Sequence, residues 1–185
     1  MNLNIKKIEM YKDFKKVVQV FKDPPFSEIL TEKEMIEEFK SYLDNGISYG
    51  YYNNNSISYG YYNNNSILGF IGVLKGVQKG HPINKYNAEQ VLYINGIAVL
   101  KEFRKKGIAT KLMNYTIKEI DLYKYLAIYL RTNYQGSKIK NVALNAGFEI
   151  LKKEGKIITE DVTFKRNNGE IAADKRMFMI KELKN

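Results

Sequence analysis

The order of elements along the chain predicts a mixed α/β fold of the α+β kind, built as a single domain over residues 1–185. Three observations lead there. Short alternating or apolar segments that suit strands recur between segments with the spacing of helices. The most apolar stretch, residues 91–100, runs through a basic, glycine-bearing turn directly into a helical pattern. Apolar residues make up 44% of the chain, enough at this length for one core.

Residues 3–9 alternate apolar and polar around Leu3, Ile5 and Ile8, as a short first strand does. In residues 11–21, Phe14, Val17, Val18 and Phe21 recur at i, i+3, i+4 and i+7, the pattern of one buried helical face. Pro24 and Pro25 stop that helix. Thr31 and Glu34 form a capping box for a second helix, with Met35, Phe39 and Leu43 on its inner side and an end near Asn45 and Gly46.

Residues 47–56 read ISYGYYNNNS, and residues 57–66 repeat them letter for letter. A solenoid needs longer units in several copies, so this is a tandem duplication within the second and third strand region. Each copy suits a strand followed by a turn, the first with Ile47, Tyr49 and Tyr51 on one face and Asn53–Asn55 at the reversal. One added strand and turn reverses the chain direction, so both copies cannot fill the same place in a hairpin. One is expected to pair, the other to form an extra edge strand or a loop. Residues 67–74 continue as a strand. Residues 75–90, with Gly76, Gly80 and Pro82, read as a loop that carries His81, the sole histidine, expected to face solvent although its intrinsic pKa suits proton transfer.

Residues 91–100, VLYINGIAVL, read as a central strand buried on both faces. Leu112, Met113, Ile117 and Ile120 mark the inner face of the helix that follows the basic turn. Such a helix exposes unpaired N–H groups at its first turn, and these with the helix dipole favour a phosphate. Gly107 lets the backbone approach a ligand without a Cβ, Ala109 keeps the approach nearly as open, and Arg104, Lys105 and Lys106 add positive charge. Residues 125–130 form another buried strand, residues 137–146 a short helix with Ile139, Val142, Ala143 and Ala146 on one face, and residues 174–183 a last strand.

Composition excludes several kinds of chemistry. Without cysteine there is no disulfide, thiolate metal site or cysteine nucleophile. No apolar run is long enough to span a membrane, and residues 1–14 carry charges where a signal peptide would be apolar, so a soluble, cytoplasmic protein is expected. The net charge of +10 attracts anions, but the lysines are scattered and read as a solvated basic surface. Base stacking on the repeated tyrosines is the nucleic-acid reading, and strand tyrosines are more simply half-buried packing.

The segment Arg104-Lys105-Lys106-Gly107-Ile108-Ala109 resembles the signature of GNAT acetyltransferases: Arg or Gln, two variable residues, Gly, one variable residue, then Gly or Ala. An apolar strand ending in Ile97-Ala98-Val99 lies five residues before Arg104, as in that family. Gly147-Phe148, closing the helix of residues 137–146, is similar to the family's corresponding helix end. The resemblance covers residues 67–148 well and the helical first quarter in outline. Residues 155–173 are not accounted for by it. It implies a central, mostly antiparallel sheet of six to seven strands, with helices on both faces and a parallel pair, from Val91 and Tyr125, that splays apart. It further implies acetyl-CoA as cosubstrate, with no metal. Its pantetheine arm would pair with backbone groups of Ile97, Ala98 and Val99, and its pyrophosphate would rest on N–H groups of Lys105, Lys106, Gly107, Ile108, Ala109 and Thr110, with Arg104 beside them. The Val99 N–H would be the oxyanion donor.

The sequence departs from the family at the usual acid and base. Where many members have a glutamate, eleven residues before Arg104, this chain has Tyr93; where many have a tyrosine, four residues before Gly147, it has Ala143. Tyr93 and Asn95 are expected on the substrate side of their strand, where Tyr93 would relay a proton or shape the pocket. Glu89 and Tyr134 are weaker candidates. The main reading is an N-acetyltransferase acting on a primary amine, of a small molecule or a peptide, by direct attack in a ternary complex. The alternative is a non-catalytic acyl-CoA binding or sensing domain. No membrane or nucleic-acid partner is expected, and a homodimer is left open.

Overall fold

The computed structural model describes residues 3–8, 11–22, 26–41, 57–63, 66–120 and 125–183. Strands β1 (Leu3–Lys7), β2 (Ile57–Asn63), β3 (Ser66–Lys75), β4 (Val91–Val99), β5 (Ala127–Asn133), β6 (Glu149–Ile150), β9 (Thr159–Lys165) and β10 (Ile171–Glu182) form one eight-stranded sheet. Its order is β1-β2-β3-β4-β5-β10-β6, with β9 on the other half of the β10 edge that β6 uses. β7 (Lys152–Lys153) and β8 (Lys156–Ile157) make a separate small hairpin. All pairings in the large sheet are antiparallel except β4 with β5. The extra strand relative to the six or seven implied by resemblance is β9. It comes from residues 155–173, where no family pattern was available to read.

The helices are α1 (Tyr11–Phe21), α2 (Phe26–Ile29), α3 (Glu32–Ser41), α4 (Ile108–Glu119) and α5 (Lys138–Asn145). They cover both faces. α4 packs on β2, β3 and β4, and α5 on β5. Beneath them Leu92, Leu112, Met113, Ile128, Met177 and Met179 are buried together. On the opposite face α1 and α3 enclose Val17, Val18, Phe21, Met35, Ile67 and Phe70, with the Phe21 and Phe70 rings edge to face at 5.5 Å. The spacing of Val17, Val18 and Phe21 therefore predicted the right side of α1. The side chains of Phe14 and Phe39 lie outside the described residues, as do Leu43 and the helix end at Asn45 and Gly46.

The caps follow from the residues that make them. Thr31 N–H donates to Glu34 Oε2 at 2.8 Å and Glu34 N–H to Thr31 Oγ1 at 3.3 Å, both halves of the capping box. Ser137 Oγ accepts from Lys140 N–H and starts α5. At the other end Phe148 N–H bonds Ala143 O and Gly147 N–H bonds Leu144 O, both at 3.0 Å, with Gly147 at φ +83°. This Schellman closure needs a left-handed residue, which is why Gly precedes Phe148.

The second copy of the repeat is β2, an inner strand between β1 and β3, with Tyr61 buried opposite Gly69. The first copy, residues 47–56, lies outside the described residues. Because the copies are identical, deleting either one yields the same polypeptide, in which the remaining copy still runs directly into Ile67. That variant is expected to fold cooperatively and to keep acetyl-CoA binding, since the β2 sequence and its junction are unchanged. Loss of a cooperative thermal transition would show that both copies are structural.

Candidate active site

The sequence reading had β4 buried on both faces throughout; that holds only for Val91 to Ile94, and from Asn95 onward the strand is half-buried. The register explains the change. Val73 faces Ile94 and Gly72 faces Gly96, so Asn95 is an extra residue, a β-bulge. Parallel pairing with β5 runs from Val91↔Ala127 to Ile94↔Leu130 and stops there, while β4 continues to Val99 and β5 to Asn133. The bulge swings the second half of β4 away, and the two strands part like a fork.

Backbone alternation decides which groups face the fork. Leu100 N–H donates to Leu68 O on the β3 side at 2.9 Å. In an antiparallel ladder successive residues turn their N–H and C=O to opposite edges, so Ala98 also faces β3, whereas Ile97 and Val99 face the fork. The Val99 carbonyl is taken by Arg104 Nε at 2.9 Å. Its N–H remains directed into the fork. Arg104 thus ties the turn back to the strand in addition to supplying charge.

After β4 a single 3-10 turn, Lys101–Phe103, leads to a turn with two left-handed residues, Lys105 at φ 63° and Gly107 at φ 75°. Gly107 immediately precedes α4, and its carbonyl accepts from Lys111 N–H at 2.9 Å. Among the described residues no backbone carbonyl accepts from the N–H groups of Lys105 to Thr110. A Cβ built on Gly107 would find nothing within 4 Å. Alternating left- and right-handed residues before a helix gather such amides into a concave anion site. The donors have no backbone acceptor among the described residues, the approach is open and the charges are cationic, which is what a diphosphate needs.

At the closed end of the fork, on the face away from α4, the register stacks Tyr93 beside Tyr129, ring centroids 4.8 Å apart. The loop between β3 and β4 brings His81 over both rings and Phe178, edge-on at 5.3, 5.7 and 5.0 Å. His81 is therefore half-buried, and the sequence expectation of a solvent-facing histidine fails because Gln78 N–H and His81 Nδ1 both bond the Tyr129 hydroxyl, at 2.9 and 3.0 Å. Arg131, the first β5 residue past the last parallel pair, pairs with Glu160 of β9 at 2.7 Å and hydrogen-bonds the Tyr93 side chain. Burial opposes the Arg131 charge, but Glu160 and Tyr93 outweigh it and raise its pKa.

Burial, with help from the Arg131 charge, lowers the His81 pKa from 6.5 to about 4. His81 is neutral at pH 7. An unfolded chain binds a proton at His81 where the folded one does not, so its contribution is fully present above pH 6.5 and is lost as pH falls through about 4. His81→Gln is expected to flatten the decline of melting temperature across that window; an unaltered decline would assign it to other groups.

The remaining sequence candidates separate. Glu89 sits exposed in a 3-10 turn, and Tyr134 packs on the α4 side beneath Lys175. Ala143 is fully buried in the core under α5. Tyr129, Arg131 and Glu160 were not singled out from the sequence. Only the two-residue period of β5 links Tyr129 to Arg131, and nothing local links either to Glu160.

Among the described residues no helix is long and apolar enough to cross a membrane. The sequence model of the acetyltransferase (GNAT) family matches residues 16–133, from within α1 to the end of β5. No curated protein matches the chain at the sequence level. Solved structures share its fold at low identity. An N-acetyltransferase from Staphylococcus aureus Mu50 superposes with a TM-score of 0.68 at 16% identity over 100% of both chains. The ribosomal-protein-S18-alanine N-acetyltransferase from Escherichia coli gives 0.65 at 12%, over 99% of this chain and 95% of that one. Arabidopsis thaliana NAA60 in complex with acetyl-CoA gives 0.67 at 15%, over 98% and 99%. With a family match spanning most of the fold and both strands of the fork, the chain belongs to the GNAT family of acetyl-CoA-dependent acetyltransferases.

Proposed function

We propose that this protein transfers the acetyl group of acetyl-CoA to a primary amine by direct attack in a ternary complex. The observation that carries the reading is the parting of β4 from β5 next to a turn whose amides, Lys105 to Thr110, have no backbone acceptor among the described residues. Those amides and the charges of Arg104, Lys105 and Lys106 hold the pyrophosphate. Ile97 and Val99 present backbone groups to the pantetheine arm, and Ala98 between them anchors the strand to β3.

The Val99 N–H faces the fork and stabilises the negative charge that grows on the thioester oxygen, an effect typically worth about 10²–10³ in rate. The acceptor loses its ammonium proton to solvent and attacks as a neutral amine; the C–N bond forms and the C–S bond breaks. Tyr93 lies too far along β4 from Val99 to touch the sulfur, so it relays its phenolic proton to the departing thiolate through water in the fork and regains one from the amide nitrogen. Ammonium and thioester thus become amide, free thiol and one released proton. Tyr93 suits this better than His81, which ionises near pH 4 and holds a proton poorly. Neutral His81 also places no second positive charge against the incoming ammonium. Asn95 acts through the bulge that opens the fork.

The E. coli relative is a ribosomal-protein-S18-alanine N-acetyltransferase, which favours a peptide or protein amine as acceptor over a small molecule. The test has two parts. Acetyl-CoA at 100 times its dissociation constant is expected to add about 2.7 kcal/mol of stability. With peptides beginning Ala, Ser or Met, free thiol is expected to accumulate steadily. No thermal response would reject the reading, and a response without thiol release would instead select a non-catalytic acyl-CoA binding domain, the reading favoured by Tyr93 and Ala143 at the usual acid and base positions.

A further inference from the structure

The segment 155–173, which the family pattern left without a role, reaches the closed end of the fork. β9 pairs with β10 so that Glu160 lies opposite Arg176, while Arg131 of β5 lies opposite Phe178. Residues directly opposite in an antiparallel pair share a face, and Arg176 and Phe178 are two apart on one strand. Tyr93, Tyr129, Arg131, Phe178, Arg176 and Glu160 therefore share one face. Across that face Arg131 spans from the Tyr93 phenol to the Glu160 carboxylate, 2.7 Å away.

We propose that Arg131 and Glu160 are positioning residues that set the acidity of Tyr93, with β9 supplying the carboxylate that moderates the guanidinium. This rests on the reading of Tyr93 as the proton donor to the leaving thiolate. A cation bonded to the phenol oxygen stabilises phenolate and makes the phenol a readier acid. Left alone, it would favour phenolate further and shorten the pH range over which the phenol keeps its proton. Glu160 draws off part of that field. Both members are only partly buried, with 28% and 39% of their side-chain surface exposed, so the pair adjusts a charge rather than entombing one.

The other groups facing Tyr93 do not substitute for this pair. Tyr129 is stacked on it with its hydroxyl on Gln78 N–H and His81; His81 is neutral; Tyr86, from the same loop, donates to Glu182; Arg176 pairs with Asp174 at 2.7 Å.

The deciding measurement needs no acceptor. Ligand-free protein and each variant are titrated by near-ultraviolet tyrosinate absorbance, each against its own Tyr93→Phe counterpart, so that the difference isolates one phenol. Arg131→Gln is expected to move the midpoint upward by on the order of one pH unit and Glu160→Gln to move it downward, while Arg131→Lys stays near the native value. With a peptide acceptor, the alkaline limb of kcat is expected to move in the same directions. Unmoved midpoints, or shifts of the same sign in both charge-removing variants as loosened packing would give, overturn the proposal. Should Arg131→Gln not fold, the half-exposed and isosteric Glu160→Gln decides alone. Failure of the native protein to acetylate any amine would reject the function while leaving the titration result standing; normal turnover with an unmoved midpoint would reject only the coupling.

Discussion

Replacing Gly107 with valine is expected to abolish the rise in melting temperature that acetyl-CoA produces, while the ligand-free protein stays folded. Gly107 holds φ +75°, a left-handed conformation that costs an L-residue roughly 1–2 kcal/mol. Its built Cβ meets no atom within 4 Å, so the first carbon of the new side chain collides with nothing and the penalty is chiefly that strain, at the upper end for a β-branched residue. At a chain length of 185 residues such a loss lowers the melting temperature by a few degrees. The valine methyls would stand in the space that the amides of Lys105 to Thr110 face, and the anion could not reach them. The ligand increment of about 2.7 kcal/mol, or roughly 5–10 °C, should vanish. Gly107→Ala should carry the same strain with less obstruction and keep part of the increment. If valine leaves the increment whole, the turn is not where the diphosphate rests, and the proposed function loses its main support.

The sequence displayed those parts of the fold that are governed by neighbours along the chain. Thr31 and Glu34 declared a cap because both halves of the box lie within one turn. Gly147-Phe148 declared a helix end because the left-handed closure is a local event. The strand, turn and helix around Gly107 were legible for the same reason, and the proposed phosphate cradle is read from that local order. The bulge at Asn95 was not. It exists only as an offset between β3 and β4, and a single strand carries no sign of which residue its neighbour skips. The surroundings of His81 were hidden likewise, because Tyr129 is 48 positions away and is brought close by parallel pairing. Glu160 is a further step removed, two strands over from β5 in a segment with no recognised pattern. Contacts that depend on register are where reading along the chain gives out, and the proposed proton-handling end of the site is made almost entirely of them.

Gly69→Ala is expected to cut both stability and acetyl-CoA binding, in a proportion opposite to that of Gly107. A Cβ at Gly69 would lie 2.8 Å from Ile108 Cγ2, 3.1 Å from Leu112 Cδ1 and 3.3 Å from the Ala98 carbonyl. No left-handed angle is involved, so the penalty is one of space. Ile108 Cγ2 branches directly from Cβ in the first turn of α4 and cannot swing aside as the tip of a long side chain would. The start of the helix must rise off β3. Overpacking of this kind costs typically about 1–3 kcal/mol, and the displaced turn carries the same amides that are proposed to hold the diphosphate. Ligand-free melting should therefore fall at least as far as in Gly107→Ala, while the ligand increment shrinks without disappearing. A double-mutant cycle with Ile108→Ala isolates the cause. That change alone removes a buried side chain and should cost about 2–5 kcal/mol. Combined with Gly69→Ala it should cost less than the two together, because the methyl that collides is gone. Strictly additive losses would mean that the collision is relieved elsewhere and that Gly69 does not seat the helix against the sheet.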